Sequence, residues 1–152
     1  MAGRYSSVLV DKGRKAAVTG FTSELGAPIT VPVVTAAVAH YCEYTGKTFI
    51  LVIYNVIYFQ NMDKNLVPPI MMRLAGLEVD ECPKFFSSKP TERNHSVYLP
   101  MSNIRLPFQL EGTISYLPTW RPLQVELMDY EGEYMLLTQN TSEWEPHMTM
   151  HR

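Results

Sequence analysis

The chain has 152 residues and a net charge of −2, with 46% hydrophobic and 18% charged residues. This composition predicts a single folded domain and argues against a disordered chain. The charge balance excludes a large nucleic-acid footprint, which would need lysine and arginine in clustered excess. The apolar stretch over residues 48–59 is far too short to span a bilayer. We therefore expect neither a nucleic-acid nor a membrane partner.

Cysteine and histidine positions predict neither disulfides nor a metal site. Cys42 and Cys82 are too few for a disulfide framework, and the amino-terminal residues lack the pattern of a signal peptide. We therefore expect an intracellular, cytoplasmic protein. His40 lies two residues before Cys42, and His147 lies four before His151. A zinc site needs three or four ligands, and neither pair offers a third. No metal and no cofactor are expected, and Cys42 is interpreted as a small apolar side chain.

Strands are predicted for most of the first half of the chain, over residues 6–10, 15–19, 29–41 and 48–59. A turn at Asp11-Lys12-Gly13 joins the first two, since glycine suits a hairpin position of positive φ. Pro32 lacks a backbone donor, so the third strand is expected to lie at a sheet edge or to break there. A turn at residues 44–47 makes the third and fourth strands a hairpin. The fourth is rich in β-branched residues and is expected to be broken or bulged near Asn55.

A short helix follows in the sequence pattern. Pro69 fits its first turn, Gly76 follows its end, and a strand starts at Leu77. The polar segment 82–94 is expected to be an exposed loop. Segment 20–28 is a second predicted loop.

The last part of the chain predicts three strands, a helix and a final strand, over residues 95–99, 104–110, 113–117, 118–130 and 133–138. The helix would place Leu123, Leu127 and Tyr130 on one face. Residues 139–152 lack periodicity and are expected to form a loose tail. Residues 1–138 are therefore predicted to be one domain.

One pattern runs through the middle of the chain as Asn55-Val56-Ile57-Tyr58, Lys64-Asn65-Leu66-Val67 and Leu74-Ala75-Gly76-Leu77-Glu78-Val79. It resembles the protease region of copia-type retrotransposon polyproteins, which carry such a pattern just downstream of a retropepsin-like catalytic strand. Other stretches resemble a divergent branch of this family, at residues 32–37, 95–100, 104–108, 111–119 and 143–147. The resemblance covers residues 2–147. It implies a mostly β fold, a retropepsin-like closed β-barrel with one or two short helices, with an α+β fold as the alternative.

The resemblance also implies an aspartic protease whose active site needs two subunits. Each subunit supplies one Asp-Thr-Gly, Asp-Ser-Gly or related tripeptide. The paired aspartates share one proton, so that one activates water while the other protonates the carbonyl. In the copia-like branch the catalytic strand lies shortly before the part that matches Ala2-Gly3-Arg4, and no such tripeptide occurs in this sequence. We therefore expect an inactive, N-terminally truncated fragment or remnant without catalytic residues.

One substitute for the missing tripeptide is Asp11-Lys12-Gly13, which follows the apolar run Val8–Val10. Lys12 stands where the family has a threonine or serine whose hydroxyl joins the two catalytic loops. A lysine from each subunit would also lower the aspartate pKa values that acid catalysis needs raised. We favour a plain turn, and Asp11 with Gly13 is the one candidate catalytic site.

Three functions follow from these observations. The first is an inactive remnant of a retropepsin-like domain. The alternative is a non-enzymatic module that binds an extended peptide, or forms a homodimer, by adding a strand to an exposed sheet edge. The third is an active aspartic endopeptidase acting through Asp11. Trp120 and Trp144 could anchor a partner, but a buried edge position is the favoured interpretation.

Overall fold

Strands dominate a computed structural model of the chain, which describes residues 1–18, 29–129 and 134–139. The strands are β1 (Ser7–Val18), β2 (Ile29–Cys42), β3 (Lys47–Ile57), β4 (Glu78–Asp80), β5 (Ser96–Leu99), β6 (Ile104–Pro107), β7 (Gln109–Glu111), β8 (Ile114–Tyr116) and β9 (Met135–Leu136), and the helices are α1 (Pro69–Leu74) and α2 (Gln124–Asp129). They form sheets of order β1-β2-β3-β9, β4-β5-β6 and β7-β8. The mostly β prediction with short helices is confirmed. None of these sheets closes into a barrel within the described residues, and the retropepsin-like barrel stays a prediction.

The centre of the largest sheet is the hairpin of β2 and β3. Its antiparallel ladder runs from Cys42 opposite Lys47 to Val33 opposite Ile57. The turn between them closes with the Gly46 N–H donating to the Cys42 carbonyl at 2.8 Å. Long β-branched runs favour such strands because their side chains pack well on a pleated surface. The predicted hairpin is confirmed, and β3 supplies much of the core through its buried residues Phe49, Ile50, Leu51, Val52, Ile53 and Val56.

The predicted irregularity near Asn55 is a β-bulge. Val34 pairs with Val56 and Ala36 pairs with Ile53, so Tyr54 and Asn55 together lie opposite one residue of β2. Asn55 has a φ of 55°, in the left-handed region that asparagine tolerates better than most residues. The prediction of a bulge at this point is therefore confirmed.

The prediction of two strands joined by a turn at residues 11–13 is wrong, because β1 is one strand. Both of its halves pair antiparallel with β2, Asp11 with Val34 and Lys15 with Pro32. The three residues between them on β1 lie opposite a single residue of β2 and form a bulge rather than a reversal. Gly13, with a φ of 72°, provides the left-handed backbone that this bulge needs.

Pro32 neither breaks β2 nor marks a sheet edge, since β2 lies between β1 and β3. The carbonyl of Pro32 accepts a hydrogen bond from Tyr58 at 3.0 Å, just beyond the last ladder pair of β3. In a strand the N–H and C=O of one residue point to the same neighbour. The N–H that Pro32 lacks would therefore point toward the β3 side, beyond Val33–Ile57, the last residue pair of the β2–β3 ladder. This explains why the sheet tolerates proline in a central strand.

Helix α1 and its exit agree with the sequence prediction. Pro69 begins the helix, and Gly76 has a φ of 88°. Leu77 N–H donates to the Met72 carbonyl at 3.1 Å and Gly76 N–H to the Arg73 carbonyl at 3.0 Å, which is the bond pattern of a Schellman motif. Strand β4 starts one residue later. Each α-helix of the described chain has six residues, and neither is long and apolar enough to cross a membrane.

The last predicted elements are shorter in the structure. The strand predicted at 104–110 divides into β6 and β7. Phe108 lies between them, and its N–H donates to the His95 carbonyl at 2.8 Å, one residue beyond the Ser96–Pro107 pair. The helix predicted from residue 118 begins only at Gln124. Trp120 instead pairs with Ala39 of β2 through both its N–H and its C=O, at 3.0 and 2.9 Å. Leu127 packs on the sheet as expected, whereas Leu123 is exposed.

Some predictions fall outside the described residues. They are Thr19, the loop at 20–28, Tyr130, Glu133 and the tail after residue 139. The described part of the strand predicted at 133–138 forms only the short β9, which pairs parallel with β3 through Met135 and Leu136.

The amino-terminal residues lie between the end of β3 and the loop that leads to α1. Ala2 N–H donates to the Ile57 carbonyl at 2.8 Å, and Arg4 N–H donates to the Met62 carbonyl at 2.7 Å. Between them, Gly3 N–H donates to Asn65 Oδ1 at 2.9 Å. A Cβ on Gly3 would collide with the backbone oxygens of Met62 and Lys64. Glycine is therefore required here by close backbone approach.

We expect Gly3→Ala to destabilise the fold by about 3 kcal/mol, since the methyl group displaces backbone rather than a flexible side chain. Gly112→Ala is the control. A Cβ there meets no neighbour, and only its φ of 61° is strained, at about 1 kcal/mol. Urea unfolding of both variants measures the difference. A Gly3→Ala variant as stable as Gly112→Ala would contradict this packing.

Candidate functional site

Asp11 lies on the exposed surface, at the bulge of β1. One of its carboxylate oxygens accepts the Gly13 N–H at 2.9 Å, which closes a small turn within the strand. Within the described residues, the Asp11 carboxylate has no hydrogen bond to another acidic side chain. Asp11 and Gly13, the candidate catalytic residues, therefore meet only within a local turn. Aspartic protease chemistry requires two carboxylates that share a proton, and one chain supplies a single carboxylate here.

The histidine and cysteine of β2 are both buried and serve the packing of the sheet. His40 Nδ1 lies 2.7 Å from the Pro118 carbonyl oxygen, a distance at which the ring N–H donates to that oxygen. Cys42 belongs to the hydrophobic core, as interpreted from the sequence. Among the described residues no group of three or more histidine, cysteine or acidic side chains could hold a metal. His147 and His151 lie outside that part of the chain.

The indole of Trp120 is partly exposed beside α2. Its Nε1–H donates to Glu126 Oε2 at 3.4 Å, and its backbone pairs with Ala39. The side chain is 38% exposed, so the interpretation of a buried edge position is wrong for Trp120. Trp144 lies outside the described residues.

The outer edge of β1 is the most distinctive surface of the large sheet. β1 pairs only with β2, so its other edge has no neighbouring strand in the described part of the chain. Val8, Leu9 and Val10 lie in this strand with 41%, 40% and 53% of their surfaces exposed. Leu9 is the extra residue of a bulge, because Val8 pairs with Ala36 and Val10 with Thr35. An apolar, unpaired strand edge is a template for another extended chain.

The remainder of this edge is polar. Asp11, Arg14 and Lys15 follow the apolar triplet, and the bulge at 12–14 interrupts the strand. Charges and bulges are the devices that keep edge strands from pairing. The sequence predicts an exposed edge in general terms but does not locate it at β1. The available signal was the run of three apolar residues, which cannot all face the core of a strand whose side chains alternate.

His95 joins the second and third sheets. It precedes β5 with a φ of 57° and is 8% exposed. Its Nε2 lies 2.8 Å from Ser115 Oγ on β8, and its ring lies 5.7 Å from the Phe108 ring. Burial lowers the pKa of His95 from its ordinary value of 6.5, the Asp80 carboxylate opposes this change, and the Lys84 ammonium adds to it. The neutral imidazole is therefore the form that the fold favours.

Comparison of the chain with protein-family models, with curated proteins and with solved structures found no match.

The buried His95 predicts a loss of stability in mild acid. The unfolded chain takes up a proton on this imidazole near pH 6.5, whereas the folded chain does so only at lower pH. The contribution of His95 to the free energy of unfolding should therefore be complete above about pH 6.5 and should decrease as the pH falls below that value.

His95→Asn tests this contribution, because asparagine tolerates the positive φ but does not titrate. Urea unfolding is measured for both proteins at about pH 7.5 and about pH 5.5. We expect the variant to be less stable at the higher pH, since its contact with Ser115 changes, and to lose less stability on acidification. An equal pH dependence in the two proteins would show that His95 is not the responsible group.

Proposed function

We propose that this chain is a retropepsin-like domain of a copia-type retrotransposon polyprotein, that it does not cleave peptides by itself, and that it acts by strand pairing at the edge of β1. The observation that carries the proposal is the exposed apolar triplet Val8–Val10 on an edge without a neighbouring strand in the described chain. Main-chain hydrogen bonds from such an edge provide affinity for an extended chain, and its side chains provide selectivity.

The positions of the family-like residues support the proposed origin. Asn55 occupies the left-handed position of the β3 bulge, and Gly76 occupies that of the α1 exit. Asn65, from the second stretch of the pattern, accepts the Gly3 N–H and so holds the amino-terminal segment. Each of these residues meets a backbone requirement of the fold. A pattern built from such residues is the kind that a shared retropepsin-like fold would retain.

The exposed position of Asp11 at the bulge supports the proposed absence of cleavage. Asp11 is exposed, and its oxygen is bound to the amide of its own turn. If two copies paired through the triplet, no contact of the described residues would hold the Asp11 of one copy beside the Asp11 of the other. Asp11 therefore lacks the paired arrangement in which two aspartates share one proton.

A second copy of the chain is the favoured partner of the β1 edge. The triplet reads Val-Leu-Val in both directions, so antiparallel pairing centred on Leu9 would oppose Val8 of one copy with Val10 of the other. Ser7 would then oppose Asp11, and no like charges would meet directly. A self-complementary patch of this kind is what a two-fold symmetric interface requires.

We expect no cleavage of extended peptides by the purified chain between about pH 4 and pH 7, the range in which an aspartate dyad would titrate. An Asp11→Asn variant is assayed beside it by mass spectrometry. Cleavage by the wild type that disappears in the variant would contradict the proposal and identify Asp11 as catalytic.

Val10→Lys should weaken self-association by about tenfold or more, since a lysine on an edge strand opposes pairing. Val125→Lys, on the exposed surface of α2, makes the same change at a site that is 66% exposed and should leave association unchanged. Sedimentation velocity over a concentration series measures both. Monomeric wild-type protein, or equal weakening by the two variants, would reject the β1 edge as the interface.

A further inference from the structure

A pocket of about 360 Å³ lies at the end of the large sheet where both bulges occur. It opens between the β1 bulge, the end of β3 and the segment that leads into α1. This volume falls within the range of small-ligand sites. The pocket is separate from the apolar triplet of β1, because the β1 residues that line it are Arg14, Lys15 and Ala16, which lie beyond the triplet.

The interior of the pocket is apolar. Ile53, Val56 and Ile57 of β3 form one wall, and Leu66, Val67 and Met71 form the wall on the side of α1. Ile53 and Val56 are buried. Such walls favour a hydrocarbon group, since transfer of apolar surface out of water is the main source of binding free energy.

The rim of the pocket is positively charged. Arg14 and Lys15 are its charged side chains, and among the described residues that line it none is acidic. Arg14 Nη2 lies 3.4 Å from Asn55 Oδ1, a contact that holds the guanidinium over the pocket. The ion pair of the described residues is Arg73–Glu81, so neither rim cation has a carboxylate partner in that part of the chain. A ligand anion would meet both cations at the mouth.

We propose that this pocket binds a small monocarboxylate with an apolar tail, of the kind represented by a medium-chain fatty acid. The tail would lie along Ile53, Val56 and Met71, and the carboxylate would accept hydrogen bonds from Arg14 and Lys15. A guanidinium binds a carboxylate through two parallel hydrogen bonds, which adds directional selectivity to the charge attraction. The inference does not depend on the proposed strand pairing.

Octanoate is the probe, and octylamine is the matched compound of opposite charge. Isothermal titration calorimetry of the full chain should show saturable binding of octanoate and none of octylamine. Methyl NMR should locate the ligand, with the signals of Ile53, Val56 and Met71 shifting as octanoate is added. Shifts confined to methyl groups elsewhere would overturn the proposed site.

Arg14→Gln combined with Lys15→Gln tests the rim, and both side chains are exposed, so the variant is expected to fold. It should lose about tenfold in octanoate affinity or more, the usual effect of removing charged hydrogen bonds. Lys84→Gln combined with Arg121→Gln removes the same net charge elsewhere and should bind like the wild type. Unchanged affinity in the rim variant, or equal losses in the two variants, would overturn the role of the rim. Val10→Lys should retain binding, which separates this site from the β1 edge.

Discussion

The antiparallel pairing of β2 with β3 is the constraint on which the other described elements depend. β1 attaches to one side of this hairpin, and the amino-terminal segment and β9 attach to the other. The connection before α2 attaches through Trp120, which pairs with β2 as well. Side chains alternate along a strand, so a slip of one residue would turn the buried face of β3 outward. The contacts of these attached elements therefore depend on the register of the β2–β3 ladder.

Two of the three bulges in the described part of the large sheet lie beside the pocket. The bulge of β3 lies opposite Thr35, and the larger bulge of β1 lies opposite Val33. Since these two residues are close neighbours on β2, both bulges fall at the same level of the sheet. The apolar pocket lies at this level of the sheet, with Arg14 at its mouth. On the other side of its bulge, β1 presents the apolar triplet at an edge. One strand thus carries two surfaces of different chemistry.

Local patterns in the sequence predicted the features that local physics controls. The hairpin turn, the bulge at Asn55 and the exit of α1 at Gly76 depend on residue types that tolerate particular backbone angles. The errors occurred where a distant partner decides the outcome. The turn at Asp11–Gly13 became a bulge because β2 pairs with both sides of it, and the helix after residue 118 begins late because Trp120 pairs with Ala39. The positive φ of Gly13 beside the candidate Asp11 was predictable, whereas the pocket and the exposed edge arise only from the assembled sheet.

Amide hydrogen exchange across β1, followed as the protein concentration rises, tests the central claim of strand pairing most directly. Pairing of two copies would protect those amides of Ser7–Val10 that point to the free edge of β1. Amides of β5 and β6 would exchange at an unchanged rate. We expect the protection of β1 amides from exchange to increase with protein concentration, and we expect Val10→Lys to abolish this increase. Concentration-dependent protection at another surface, with β1 unchanged, would contradict it.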